Sequence, residues 1–382
     1  MFRPRPRPSP ARYTRNADGP LITVGITSYN DAEKISRCLE SIAAQTLGAE
    51  HIEVLVVDDG STDKTVSLAR SHENSGPWAA FTVHRHGASG SPSKGRNIIM
   101  DEATGQFVFF VDADDYLGPE ALQTMTQAAT KKRADIVIGR YVGVNRSAPN
   151  VLEPRGTSSS KDYHSGWLNS LHVQKLFRTA FIRSLDYRFN ESLIYASDHP
   201  FMISAFLHAE RVAMVEDVDC YFLTMDAPET ETETATGTET ASGTASASAT
   251  ARVNVSRAEI SAKKQLQFLH DCFGILALGR GQGGRTSTRA GTMRADYWNR
   301  LLKLHLPMLV LRKNDDAAIV ELAQQARNMA ELYGAQTQRS RLAEGAQTML
   351  TALQQTSQDD PGDGAKLTAA AEQVRADVRG SA

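Results

Sequence analysis

Acidic residues follow two of the most apolar runs in the sequence, where they could bind a cation or a hydroxyl-rich ligand. They are Asp58 and Asp59 after IEVLVV (52–57), and Asp112, Asp114 and Asp115 after FVFFV (107–111). Carboxylates this close together repel one another unless a cation or ligand neutralises them. Oxygen ligands favour Mg²⁺ or Mn²⁺ over zinc. Aspartates also cap turns, but two acidic runs favour a cation site over that alternative.

Two basic residues, Lys94 and Arg96, lie in the first turn of a helix predicted to begin at Ser91-Pro92. Cations in a first turn oppose the helix dipole. A bound anion would remove that conflict, because free N–H groups and two cationic side chains can together bind a phosphate. A solvated basic turn is the alternative that these residues leave open.

The elements that would position these residues alternate regularly from Leu21 to Gly139. Apolar runs predict five strands: LITVGIT (21–27), HIEVLVVDD (51–59), AFTVH (80–84), FVFFV (107–111) and DIVIG (135–139). Amphipathic stretches between them predict helices. Repeated strand–helix units indicate an α/β fold with a doubly wound, mostly parallel sheet. Ligands bind to such sheets beyond the carboxyl ends of the strands, where both acidic runs lie.

Three segments carry a family resemblance: TVGITSYNDAEKISRCLESIAAQT (23–46), VLVVDDGSTDKT (54–65) and GRNIIMDEATGQFVFFVDADD (95–115). In this order and spacing they resemble the nucleotide-sugar domain of family 2 glycosyltransferases, over residues 20–225. The resemblance implies a GT-A, Rossmann-like fold and an inverting, metal-dependent transferase that uses Mn²⁺ or Mg²⁺. It implies that a hexosyl or N-acetylhexosaminyl group moves from a UDP-sugar to an acceptor hydroxyl.

The resemblance also assigns donor-binding residues, position by position. It implies that Thr27 and Tyr29 line the base pocket, that Asp58 or Asp59 accepts a hydrogen bond from uracil, that Arg96 and Asn97 contact the donor, that Asp112 contacts ribose and that Asp114 holds the metal. Lys94 joins the expected donor-binding residues because it lies beside Arg96 in the first turn of the same helix. Asp115 is expected to orient the loop.

A fourth segment, YASDHPF (195–201), resembles the one that carries the family's catalytic base, and the resemblance places that base at Asp198. Ser197 stands where the family usually has Glu. Asp198 could instead cap the following helix, and both roles can coexist. His199 is a further candidate for contact with the diphosphate or metal. Arg252 matches the start of an RxxxS element that closes over the donor phosphate in relatives.

Composition divides the 382 residues further. Residues 1–19 predict a disordered, basic, Pro-rich arm, and residues 226–251 a disordered low-complexity insertion that from Glu229 to Thr250 contains only Glu, Thr, Ala, Ser and Gly. Helical patterns indicate a helical C-terminal region over residues 252–345. Residues 346–382 predict a polar, Ala-rich tail of doubtful order. Within the helical region a Gly/Arg/Thr-rich stretch, residues 279–291, is expected to separate two helices.

The whole-chain charge excludes some partners. With 42 Lys and Arg against 44 Asp and Glu, the chain lacks the basic excess of a nucleic-acid binder. No apolar run is long enough to span a membrane, and we expect a cytoplasmic protein with at most weak contact between the basic arm and the inner membrane surface. Glycan, wall-polymer, lipid-linked and small-molecule acceptors all stay open, as does a homo-oligomer.

Two other functions are compatible with parts of this pattern. A nucleotidyltransferase also ends buried strands in carboxylates that hold Mg²⁺, but it would normally show a Gly-rich phosphate loop where SYND (28–31) stands. A catalytically inactive sugar-nucleotide-binding or scaffold protein would explain Ser197, but not the intact Asp112, Asp114 and Asp198.

Overall fold

The computed structural model describes residues 19–74, 76–149, 159–160, 162–226, 260–356 and 363–380. Within these ranges, no helix has both the length and the apolar character needed to cross a lipid bilayer. The predicted arm and low-complexity insertion, with Arg252, lie almost entirely outside the described residues, and the predicted domain boundaries stay predictions.

One mixed sheet forms the first part of the molecule. In the described ranges its strands are β1 (Ile22–Ser28), β2 (Ile52–Asp58), β3 (Ala80–Arg85), β4 (Phe107–Asp112), β5 (Tyr116–Leu117), β6 (Ile136–Val144), β7 (Ser159–Ser160), β8 (Leu176–Arg178) and β9 (Val212–Thr224). Their order is β3-β2-β1-β4-β8-β6-β9-β5, with β7 paired to β9. Parallel ladders join β1, β2, β3 and β4 to one another and β6 to β9.

The five predicted strands are β1, β2, β3, β4 and β6, and the predicted α/β fold with a mostly parallel sheet is confirmed. Four strands, β5, β7, β8 and β9, lie outside the predicted five, and β8 lies antiparallel between β4 and β6. β1, β2 and β4 are almost wholly buried because helices cover both faces of the sheet, which explains their near-continuous apolar sequences.

Helices follow most strands of the sheet. They are α1 (Ile35–Ala43), α2 (Thr65–Ser71), α3 (Ser93–Glu102), α4 (Ala121–Lys132), α5 (Thr179–Arg183) and α6 (Asp198–His208). Two of them begin beside the carboxyl edge of the parallel strands: α3 carries Arg96 in its first turn, and α6 begins at Asp198. These two helices bring charged residues from distant parts of the chain to the same edge.

The C-terminal region is helical, as predicted. Its helices are α7 (Ala262–Leu266), α8 (Phe268–Gly281), α9 (Gly284–Arg300), α10 (Leu306–Val310), α11 (Asp316–Leu332), α12 (Glu344–Gln355) and α13 (Asp363–Gly380), with a π-helical turn at Leu301–His305. α8 and α9 pack against α6, so one continuous apolar core joins this region to the sheet.

The structure differs from two expectations for this region. The break expected over 279–291 is confined to the junction near Gln282 and Gly283; α9 begins at Gly284, and its residues Arg289 and Ala290 are buried. The Ala-rich sequence from 346 onward contains most of α12 and all of α13. Leu367, Ala371 and Val374 of α13 are buried, so this segment adds to the core rather than forming a polar tail.

Candidate active site

The carboxyl ends of β1 and β4 bring the first predicted residues together. Thr27 lies opposite Asp112 in the parallel register, and its hydroxyl donates to Asp112 Oδ1 at 3.4 Å. On the other side of β1, Ser28 lies opposite Asp58. The two acidic runs therefore flank one strand at one edge of the sheet, as the sequence predicted.

Arg96 connects this edge to α6. Its Nη2 donates to Asp112 Oδ1 at 3.1 Å, and its Nη1 donates to Asp198 Oδ1. The side chain is only 3% exposed. Burial lowers the pKa of Arg96, but the charges of Asp198 and Asp112 outweigh it and raise that pKa. A buried, charged guanidinium thus fixes two carboxylates of the predicted site relative to each other.

Asp198 uses both of its oxygens outside its own helix. Oδ1 accepts from Arg96, and Oδ2 accepts from the backbone N–H of Val173 at 3.1 Å. The alternative role as a side-chain cap of α6 is not seen in these contacts, since no side chain caps that helix end. Ala196, two residues earlier, has a left-handed φ of 49°, and its carbonyl accepts from His199 N at 3.1 Å. This tight turn directs the Asp198 carboxylate, 19% exposed, toward the sheet edge.

Two contacts of Asp112 come from residues that were not among the predicted site residues. Gln174 Nε2 donates to Asp112 Oδ2 at 2.7 Å, and the hydroxyl of Tyr221 accepts from the backbone N–H of Asp112 at 3.1 Å. Gln174 lies two residues before β8, and Tyr221 lies in β9. Neither residue lies in one of the four segments that carry the family resemblance, so no motif marked them.

The carboxylates after β4 are crowded. Asp115 is 4% exposed and accepts from the backbone N–H of Thr224 at 2.7 Å. Burial, followed by the charges of Asp114 and Asp112, raises the pKa of Asp115 to about 8. The backbone carbonyl of Asp114 accepts from the Thr224 hydroxyl and from Arg37, which brace the loop. The loop that carries these carboxylates is therefore held by neighbours on α1 and β9.

This donor set fits a hard divalent cation that a diphosphate helps to bind. Mg²⁺ is commonly held by one or two carboxylates together with substrate phosphates. Within the described ranges, no group of three or more His, Cys, Asp or Glu is arranged to hold a metal ion. A cation beside these carboxylates would offset the negative charge of Asp112, Asp114 and Asp115, which lie within four residues of one another.

Asp58 and Asp59 have different surroundings. Asp58 is fully buried, and its carboxylate accepts from Ser28, from Gly60 N and from both the N–H and the hydroxyl of Ser61. The side chain of Asp59 is 13% exposed and accepts from Ser89 N and Gly90 N, in the loop before α3. Asp58 therefore holds the turn after β2, while Asp59 lies at the surface of the site.

The other predicted donor residues fall into two groups. Tyr29 is 43% exposed at the end of β1, and Lys94 is partly exposed on the first turn of α3. The amide of Asn97 is engaged within the protein: Nδ2 donates to Phe189 O and to Glu191, and Oδ1 accepts from Phe189 N. Asn97 thus holds the segment that leads to Asp198.

His199 lies apart from the donor residues. Its Nδ1 lies 3.1 Å from the Tyr297 hydroxyl, and its ring contacts Phe268 and His305. Burial, followed by the charges of His305, Arg300 and His172, lowers the pKa of His199 well below its ordinary value. His199 therefore joins α6 to the helical region as a neutral, buried side chain.

A doubly wound sheet with helices on both faces and acidic residues beyond the carboxyl ends of β2 and β4 is the architecture of a GT-A glycosyltransferase. Residues 23–192 match the family model described as Glycosyl transferase family 2. These residues form a glycosyl transferase family 2 domain, which confirms the resemblance seen in the sequence.

Curated relatives match the same half of the chain. The poly(ribitol-phosphate) beta-N-acetylglucosaminyltransferase TarS of Staphylococcus aureus is 31% identical over 203 residues, which are 53% of this chain and 35% of TarS. The poly(ribitol-phosphate) beta-glucosyltransferase of Bacillus spizizenii is 30% identical over 207 residues, 53% of this chain and 32% of that enzyme. The matched part spans about a third of the length of these relatives.

The structural likeness extends further along the chain. The crystal structure of S. aureus TarS 1-349 in complex with UDP-GlcNAc superposes with a TM-score of 0.71 at 21% identity. It covers 94% of this chain and 92% of that one. The shared fold thus includes the helical C-terminal region as well as the sheet.

Proposed function

We propose that this chain is a metal-dependent inverting glycosyltransferase that moves a sugar from a UDP-sugar to an acceptor hydroxyl, with Asp198 as general base. The observation that carries the proposal is that the Arg96 guanidinium binds both Asp112, at the end of β4, and Asp198, at the start of α6. The donor-binding and base residues therefore belong to one partly exposed site. The named activities of the relatives and the UDP-GlcNAc complex of TarS support this choice of donor.

Donor binding follows from the exposed groups at the strand ends. Tyr29 offers an exposed ring on which a uracil base can stack. Asp59 is the better partner for the uracil N–H, because its side chain is 13% exposed whereas Asp58 is fully buried. Asp112 would accept from ribose hydroxyls while Gln174 and Arg96 hold its carboxylate in place.

Asp114 would hold the Mn²⁺ or Mg²⁺ ion, supported by Asp112 in the same acidic run. When bound together with a diphosphate, such an ion offsets the negative charge of the leaving group. The protein's own contribution is to hold the loop, which Thr224 and Arg37 do through the backbone carbonyl of Asp114. Lys94, on the first turn of α3, would add positive charge near the phosphates.

The acceptor step needs a carboxylate that faces the acceptor hydroxyl. Asp198 would remove the hydroxyl proton as the acceptor oxygen attacks the anomeric carbon, and the bond to the diphosphate breaks on the opposite side. A single displacement of this kind inverts the configuration at that carbon. Val173 N and Arg96 hold the Asp198 carboxylate, so this group is already oriented before the reaction begins.

The test is UDP release from a panel of UDP-sugars with and without Mn²⁺, in the presence of polyol-phosphate and glycan acceptors. We expect release to require a divalent cation and to fall by about 10²-fold or more in Asp114→Asn and in Asp198→Asn. Asp217→Asn is the matched control, because Asp217 is exposed on β9. Metal-independent turnover or full activity of Asp198→Asn would contradict the proposal, and release of pyrophosphate instead of UDP would favour a nucleotidyltransferase.

A further inference from the structure

Arg300, at the end of α9, carries a positive charge that no described carboxylate neutralises. Its Nη1 donates to the backbone carbonyl of Asn169 at 3.1 Å, and its Nε is buried without a hydrogen-bond partner. The residue is partly exposed. A guanidinium held in this way has lost part of its hydration, and a carboxylate or phosphate would compensate it.

The segment that Arg300 contacts leads directly to the proposed base. Four residues after Asn169, the N–H of Val173 donates to Asp198 Oδ2 at 3.1 Å. Between them, Ser170 Oγ and the carbonyl of His172 accept from the buried amine of Lys175. Arg300 therefore contacts the same segment that contacts Asp198 Oδ2, whereas Arg96 contacts Oδ1.

The charges around this segment are mainly positive. Burial, followed by the charges of Lys175, Arg146, Arg300 and Arg96, lowers the pKa of His172 to about 3. Lys175 itself donates only to uncharged oxygens, those of Tyr141, Ser170 and His172. Asp112 and Asp198 are paired with Arg96, and among the described residues no carboxylate forms an ion pair with Arg300. A phosphate bound beside Arg300 would therefore meet a positive charge that no carboxylate already neutralises.

We infer that Arg300 binds a phosphate group of the acceptor, next to the hydroxyl that Asp198 activates. The inference rests on the proposed function and adds a substrate class to it: an acceptor with phosphodiester groups along its chain. A guanidinium matches a phosphate through two parallel N–H donors, which a neutral glycan would not satisfy. The relatives named for poly(ribitol-phosphate) act on acceptors of this chemical class.

The assay measures the acceptor KM for a ribitol phosphate oligomer and for a neutral chitin oligosaccharide, with the donor that supports turnover. In Arg300→Gln we expect the KM for the phosphate oligomer to rise about tenfold or more, with a smaller rise in Arg300→Lys, which keeps the charge. The KM for the donor should change far less. Arg294→Gln is the matched control, since Arg294 lies on the same helix with a buried, unpartnered Nε, but donates to Tyr333 O.

Direct binding separates this inference from the proposed function. Calorimetric titration of the same two oligomers into the full chain needs no turnover. Binding of the phosphate oligomer that is lost in Arg300→Gln and kept in Arg294→Gln would support the site even if no sugar were transferred. The inference would be overturned if Arg300→Gln did not change transfer to, or binding of, the phosphate oligomer. It would also be overturned if the neutral oligosaccharide bound equally well. Neither result would contradict the proposed transferase activity.

Discussion

The guanidinium of Arg96 forms an ion pair with the carboxylate of Asp198, a residue 102 positions further along the chain. Both side chains are largely buried, at 3% and 19% exposure. The pair joins the first turn of α3 to the start of α6, and the second arm of Arg96 reaches Asp112. Asp112, Arg96 and the proposed base Asp198 thus form one charged network. Removal of one of them leaves a buried charge without its partner.

Replacing Arg96 tests how much this network contributes. Arg96→Met leaves two carboxylates without their shared partner, and we expect the free energy of unfolding to fall by about 3 kcal/mol. Urea denaturation gives this value directly. Arg188→Met is the control, since Arg188 pairs with Asp101 at the surface and should cost less than about 1 kcal/mol.

The double variant Arg96→Met with Asp198→Asn completes the cycle. A coupling energy of about 1–3 kcal/mol is expected, because the neutral amide no longer needs the guanidinium. If the two single effects simply add, the pair seen in the structure does not contribute to stability in solution.

Asp58 and Asp59 are adjacent in sequence, but we expect different consequences when each is changed. Asp58→Asn replaces a buried acceptor of several hydrogen bonds by an amide that can satisfy only some of them, and should destabilise the fold by about 2 kcal/mol. Asp59→Asn should weaken UDP binding about tenfold with a smaller change in stability. Calorimetric UDP titration and urea denaturation of both variants check this. The reverse pattern would assign the uracil contact to Asp58.

Packing of α13 can be tested through one leucine. Leu367 is fully buried, so Leu367→Ala should lower the free energy of unfolding by about 2–4 kcal/mol. Leu332→Ala provides the matched control, because Leu332 is 64% exposed and its truncation should change stability by less than about 0.5 kcal/mol. Equal effects of the two substitutions would mean that α13 does not pack as described.

The strands and the acidic edge could be predicted because their signals are local. A buried parallel strand reads as a continuous apolar run, and Asp58 and Asp112 follow such runs directly. The pairing of Arg96 with Asp198 could not be predicted from the residues alone, since it depends on how α3 and α6 meet across the sheet. Nothing local distinguishes a cation that binds a phosphate from one that binds a carboxylate.

The prediction of a polar tail from the Ala-rich C-terminal sequence was wrong for a different reason. Leu367, Ala371 and Val374 recur at helical spacing and form the buried face of α13, but only one of them is large. Small residues allow helices to approach closely without raising the overall hydrophobicity of a segment. Composition therefore indicated a polar tail, whereas the spacing of these three residues was the signal for a packed helix.

Lys175 allows a prediction about pH. Its side chain is fully buried, and its amine donates to Tyr141 at 3.0 Å, to Ser170 at 3.3 Å and to the carbonyl of His172. Burial lowers the pKa of Lys175 from 10.5 to about 7, opposed by the charge of Asp198 and assisted by that of Arg300. Folding therefore favours the neutral amine over a wide range of pH.

The sign of the effect follows from the protons bound. Between pH 7 and pH 10.5 this lysine is more protonated in the unfolded chain than in the folded one. The contribution of Lys175 to the free energy of unfolding must then rise with pH across that window. Lys175→Met removes this contribution, so the stability of the wild type relative to the variant should increase by about 1 kcal/mol per pH unit.

Urea denaturation of wild type and Lys175→Met at several values between about pH 7.5 and pH 9 measures the difference. The same series with Lys263→Met, in which an exposed lysine of α7 is changed, reports the effect of removing any one lysine charge. Parallel wild-type and Lys175→Met curves would mean that the buried amine keeps its proton on folding. The interior beside Asp198 would then tolerate the lysine charge, and the uncharged oxygens of Tyr141, Ser170 and His172 would be sufficient to solvate it.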